Sequence, residues 1–96
     1  MDTRVTHNEV ESRYELRAGD EEIGITEYRL HDTADGTVAE FHHTFITPPR
    51  REQGNAERLV GAALDDVRAR GLRVRATCWY VDQFLIEHPE YADLRV

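Results

Sequence analysis

The chain contains no lysine; all twelve of its basic residues are arginines. It therefore offers no side-chain amine of its own for modification. A single cysteine, Cys78, excludes an internal disulfide. No apolar run reaches the length that spans a bilayer. The start, Met1-Asp2-Thr3-Arg4, lacks the apolar centre of a signal peptide, so the cytoplasm is the expected location. The five histidines are scattered, and only His42 and His43 are adjacent. Neighbours on a strand face opposite sides, so no metal is expected. A basic excess is also missing: nineteen acids face twelve arginines, for a net charge of −7. That argues against nucleic acid as a partner. Residues 1–47 hold eleven of the acids against four arginines, whereas residues 48–96 hold eight of each. The second half is thus neutral enough to accept an anionic ligand.

With 40 % hydrophobic and 32 % charged residues over 96 positions, the chain reads as one soluble α+β domain, residues 1–96. Residues 1–8 read as a frayed start. Val10 to Arg17 alternates apolar and polar, with Val10, Tyr14 and Leu16 on one face. Ala18-Gly19-Asp20-Glu21 is a turn, Ile23 to Leu30 a second strand, and Asp35-Gly36 a hairpin dipeptide. Val38 to Thr47 is a third strand. Its alternation puts Phe41, His43 and Phe45 on one face, unless a bulge exchanges His42 and His43. The period then changes. Ala56, Leu59, Val60, Ala63, Leu64 and Val67 recur at helical spacing, and Gly71 stops the helix. Leu72 to Thr77 is a further strand. Val81 to His88 is a short helix with Phe84 and Leu85 inward, ended by Pro89. An antiparallel meander feeding a strand-loop-helix-strand crossover gives a mixed sheet with one parallel pair.

The loop of that crossover is Arg51-Glu52-Gln53-Gly54-Asn55-Ala56, after Pro48 and Pro49. A glycine at a helix start brings free N–H groups near an anion. This Arg-x-x-Gly-x-Ala loop resembles the pyrophosphate loop of the GCN5-related acetyltransferases, which use acetyl-coenzyme A. Two further segments carry the resemblance: His43-Thr44-Phe45-Ile46 before the loop, and Cys78-Trp79-Tyr80-Val81 with Phe84-Leu85-Ile86 and His88-Pro89-Glu90-Tyr91 after it. Over about residues 10–94 the chain is similar to the small stand-alone acetyltransferases of the bacterial YjdJ type. The resemblance implies that the two parallel strands splay apart to admit the pantetheine arm. The family's first loop glycine is Glu52 here, and its strand glutamate is Phe45, so no base role carries over from that glutamate.

On this reading the amides of Gln53, Gly54, Asn55 and Ala56 donate to the diphosphate, with Arg51 adding a charged contact; Glu52 belongs to the same binding loop, where its carboxylate repels the phosphates unless it points outward. The alternative is a helix start capped by Asn55 with no ligand. The backbone of Phe45, Ile46 and Thr47 is placed to hydrogen-bond the arm. Tyr80 is either a lid or core aromatic or a proton donor to the leaving thiolate; Phe84 is a weaker candidate contact. Cys78 follows the second parallel strand, at the carboxyl end where ligands of parallel strands sit. It can carry the acetyl group, protonate the leaving thiolate, or simply be a small buried residue. His43 is the candidate proton acceptor, or a core histidine. The expected function is acetyl transfer to an amine, small or protein-borne, by a monomer or homodimer. The alternatives are a coenzyme-binding module without catalysis and an interaction protein that keeps only the fold.

Overall fold

The computed structural model describes residues 2–96. The five strands are β1 (Thr3–Asn8), β2 (Arg13–Ala18), β3 (Glu21–Thr33), β4 (Gly36–Ile46) and β5 (Arg73–Ala76), adjacent in that order in one sheet. The first four pair antiparallel, and β4 pairs with β5 in parallel. Helix α1 (Asn55–Ala69) makes the crossover, and α2 (Trp79–Glu87) follows β5. This is the α+β meander-plus-crossover architecture that the sequence implies. Among the described residues no helix is long and apolar enough to cross a membrane.

Two expectations at the start of the chain are corrected. The segment read as frayed forms β1, paired with β2 from Thr3↔Ala18 to Asn8↔Arg13; Met1 lies outside the described residues. Val10 is not on the inner face with Tyr14 and Leu16. It is 93 % exposed, at the tip of the β1–β2 turn. That turn has neither glycine nor proline. Asn8 makes it instead: its Oδ1 accepts from the Glu11 N–H at 3.1 Å, and Ser12 takes a left-handed φ of 55°. Asparagine and serine do this locally without the usual punctuation.

The core lies between one face of the sheet and the helices. Leu59, Val60, Ala63, Leu64 and Val67 of α1 pack on Tyr14, Leu16, Tyr28 and Phe41, with Val81, Phe84 and Leu85 of α2 completing the cluster. Removing one such leucine side chain costs about 2–5 kcal/mol. The opposite face carries charge. Glu15 there is almost fully buried under Asn8, Arg13 and Arg17, each donating to its carboxylate.

A β-bulge reorganises the third predicted strand. Glu27 pairs with His43 but Tyr28 pairs with Phe41, so His42 is the extra residue. Alternation resets there. Phe41, Thr44 and Ile46 face the helices, while His43 and Phe45 face out and stack, 6.5 Å between centroids. The expectation that Phe41, His43 and Phe45 share a face therefore fails, by the swap that one inserted residue produces.

Candidate active site

The site begins at the last rung between β4 and β5. The Phe41 carbonyl accepts from the N–H groups of both Thr77 and Cys78, each at 3.0 Å. Beyond it the strands part. Residues 42–46 of β4 continue along β3, while the segment after β5 turns into α2 at Cys78. Thr47 N–H donates to the Ile23 carbonyl at 2.9 Å. By the two-residue period of a strand, the Phe45 amide then points to β3, and the Ile46 and Thr44 amides point into the fork.

At the end of the fork lies a cavity of about 230 Å³, lined by Ile46, Arg50, Arg51, Glu52, Gly54, Asn55, Ala56, Glu57 and Tyr80. Its floor is the start of α1. The N-cap is Gly54, left-handed at φ 76°, and no side chain caps the helix. A Cβ on Gly54 would meet nothing within 4 Å, so the backbone there borders open space. Asn55 does not plug the end. Its Nδ2 donates to the Arg50 carbonyl at 2.9 Å, and its Oδ1 accepts from Arg58. The amides of the first turn are left to the cavity, where a helix start favours an anion.

A model of the GCN5-related N-acetyltransferase family matches residues 13–94. The chain belongs to that family. Protein NATD1 of Danio rerio is 30 % identical over 95 residues, covering 94 % of this chain and 82 % of its own length. Protein NATD1 of Bos taurus is 35 % identical over 60 residues, and the match spans about half of that protein, 53 %. The solution structure of a GCN5-like protein from Staphylococcus aureus superposes with a TM-score of 0.70 at 18 % identity, over 97 % of this chain and 87 % of that one. N-acetylglutamate synthase from Neisseria gonorrhoeae, solved with coenzyme A and N-acetyl-glutamate, reaches 0.63 at 19 % identity, over 79 % of this chain and 18 % of that one. At such identities these structures share the fold.

Within this acetyltransferase fold the sequence candidates separate into groups. Ile46, Arg51, Glu52, Gly54, Asn55, Ala56 and Tyr80 meet at the cavity. Gln53, Phe45, Thr47 and Phe84 are not on its lining. The Gln53 side chain donates to the Pro49 carbonyl and turns to a neighbouring hollow. Thr47 spends both its N–H and its hydroxyl on the Ile23 carbonyl. Phe45 faces out beneath the Arg51 guanidinium, 5.3 Å above its ring. Phe84 is buried and stacks on His88 at 3.9 Å. Arg51 also donates through Nε to the Ile46 carbonyl at 2.8 Å, which ties the loop to the end of β4. Burial pushes the Tyr80 hydroxyl pKa up, so it stays protonated at neutral pH.

Cys78 stands at the N-cap of α2 and donates to Thr44 Oγ1 at 3.6 Å. Thr44 in turn shares a hydrogen bond of 2.9 Å with Thr26, which is fully buried. Thr44 faces inward, so the next residue back, His43, lies on the outer face. The two candidate catalytic side chains are therefore on opposite sides of β4. The hydroxyl pair beneath Cys78 was invisible in the sequence, because only the bulge turns Thr44 toward it. Among the described residues no group of three metal-binding side chains comes together.

Proposed function

We propose that this chain is an acetyl-coenzyme A-dependent N-acetyltransferase of the YjdJ type, working in the cytoplasm as a monomer or homodimer. The observation that carries the reading is the open helix start. Uncapped α1 amides and a left-handed Gly54 border a cavity that Ile46 of β4 and Tyr80 of α2 also line, at the end of the fork between the parallel strands. The coenzyme A seen with N-acetylglutamate synthase supports the same ligand on this fold. The amides at Gly54, Asn55 and Ala56 would hold the diphosphate, and the Ile46 and Thr44 amides would meet the arm and the acetyl oxygen. The acceptor amine would attack the thioester carbonyl carbon. The carbon–sulfur bond would break, the thiolate would leave and take a proton, and the amine nitrogen would lose one. Cys78 sits inside the fork, so it would either carry the acetyl group first or give the thiolate its proton. His43, on the outer face, would take a proton only from an amine arriving on that side.

Both helices cover the inner face of the sheet, so the outer side of the fork has no wall. That suits a protein-borne amine or a loosely held small one. Calorimetric titration with acetyl-coenzyme A, followed by turnover with a panel of amines, tests the reading. Binding with transfer supports it, and absence of binding sinks it. Intact mass then separates the routes: an acetyl adduct on the wild type that is lost in Cys78→Ser supports the cysteine carrier. An adduct that persists in Cys78→Ser removes that role. A second reading, binding without catalysis, is favoured by Phe45 at the usual glutamate position and by the separation of His43 from Cys78. It predicts tight coenzyme binding with no transfer to any amine.

A further inference from the structure

A second hollow, of about 200 Å³, flanks the same loop on the side away from Tyr80 and the fork. It is lined by Thr3, Ile23, Arg50, Gln53, Asn55 and Arg58, and shares Arg50 and Asn55 with the first cavity. Two of its six lining residues are arginines and none is acidic. This is unusual in a chain with nineteen acids and twelve arginines. Most of its arginines are spoken for by carboxylates: Arg13 and Arg17 by Glu15, Arg68 by Asp93, Arg70 by Asp66, Arg95 by Asp82. Arg50 also pairs with Glu21, at 2.8 Å. Arg58 is different. It pairs with no carboxylate among the described residues; one of its N–H groups goes to Asn55 Oδ1, a neutral acceptor. A guanidinium has five donors in a planar fork that fits phosphate oxygens two at a time. The Asn55 contact aims that fork, because Asn55 is itself fixed in place, 4 % exposed and anchored on the Arg50 carbonyl.

The two hollows thus offer anion donors one helical turn apart: backbone amides at Gly54 to Ala56, then the Arg58 side chain. A ligand with two separated phosphate groups is needed to use both. We infer that Arg58, with Arg50 beside it, binds the 3′-phosphate of the coenzyme, and so makes this chain selective for coenzyme A over its 3′-dephospho form. The inference rests on the coenzyme A reading of the first cavity. The hollow that the segment Thr3–Asn8 walls at Thr3 also gives the first strand a part in recognition, beyond completing the sheet.

Calorimetry at 50 mM salt with coenzyme A and 3′-dephospho-coenzyme A tests this on the wild-type protein without any variant. The expected result is coenzyme A bound about tenfold tighter, a preference that fades at 0.5 M salt as exposed charges are screened. Arg58→Ala should bring the two affinities within about twofold by weakening coenzyme A alone, and Arg58→Lys should restore part of the preference, as a point charge without the fork. Equal binding of both ligands by the wild type overturns the inference and leaves the coenzyme A reading standing. An Arg58→Ala protein that loses affinity for both ligands alike also overturns it, since Arg58 would then serve the diphosphate or the loop. Binding of neither ligand by a wild type that melts cooperatively removes the coenzyme reading itself, and the inference with it.

Discussion

Glu52 lies on the cavity lining with a left-handed φ of 61°. Two separate costs follow, and two variants separate them. The backbone cost arises because a side chain in that region crowds the following carbonyl, by about 1–2 kcal/mol. Glycine removes the crowding but frees the unfolded chain by about 0.4–1 kcal/mol. Glu52→Gly should therefore raise stability in urea by about 0.5–1 kcal/mol, and Glu52→Gln, which keeps the side chain, should not. The electrostatic cost falls on the ligand. At a separation on the order of 7 Å in a water-like medium, each charge pair contributes about 0.6 kcal/mol. A diphosphate brings about two charges, and salt near 0.15 M screens roughly half of their repulsion. Both variants should thus bind acetyl-coenzyme A about threefold tighter, more so at 50 mM salt and by less than about twofold at 0.5 M. Calorimetry at the three salt concentrations, with urea unfolding of the same samples, reads both effects. If Glu52→Gln binds no tighter at low salt, the carboxylate does not face the diphosphate and the electrostatic reasoning fails. If Glu52→Gly loses stability, the left-handed turn is not what the chain adopts.

Two further outcomes rest on the frame around the site. The Glu15 carboxyl is held down to about 2, first by the Asn8 hydrogen bond and also by Arg13 and Arg17, against the opposing effect of burial. Its folded value lies below its unfolded one, so its contribution is complete above pH about 5 and is lost as pH falls toward 2. Wild type should exceed Glu15→Gln in stability by on the order of 1–2 kcal/mol at neutral pH, and the gap should close in acid unfolding; a constant gap refutes it. At Gly24 an added Cβ would lie 2.5 Å from Ile46 Cδ1 and 3.1 Å from the Phe45 carbonyl oxygen. The isoleucine tip can rotate but the backbone oxygen cannot, so Gly24→Ala should cost about 1–3 kcal/mol and weaken coenzyme binding through Ile46. Gly61→Ala is the control: its Cβ meets only Phe84 Cζ at 3.7 Å, and mid-helix alanine should gain up to about 1 kcal/mol.

What the sequence made legible was periodic or punctuated. The spacing from Ala56 to Val67 matches the buried stripe of α1, and Asp35-Gly36 marks the β3–β4 hairpin. The loop around Gly54 was legible because glycine before a strong helical period has few other uses. The β1–β2 turn was not, because Asn8 and Ser12 shape it without glycine or proline. Nor was the position of Gln53, whose side chain turns to the Pro49 carbonyl and away from the cavity. The arginine hollow escaped for a related reason. Thr3, Ile23 and Arg58 come from three separate elements, and their convergence belongs to the tertiary fold alone.

The His42 bulge decides the chemistry of the fork. Without it, β4 would keep strict alternation beyond Phe41, and His43 and Phe45 would face the helices. Cys78 would then meet an imidazole, and the outward positions would fall to Thr44 and Ile46. With the extra residue, the threonine pair lies under the thiol, the histidine moves to the open side, and the apolar Ile46 lines the cavity. Beyond the insertion β4 remains paired to β3 as far as Gly24↔Ile46, having left β5 at Phe41. One residue thereby sets which side chains face into the fork and which face away from it.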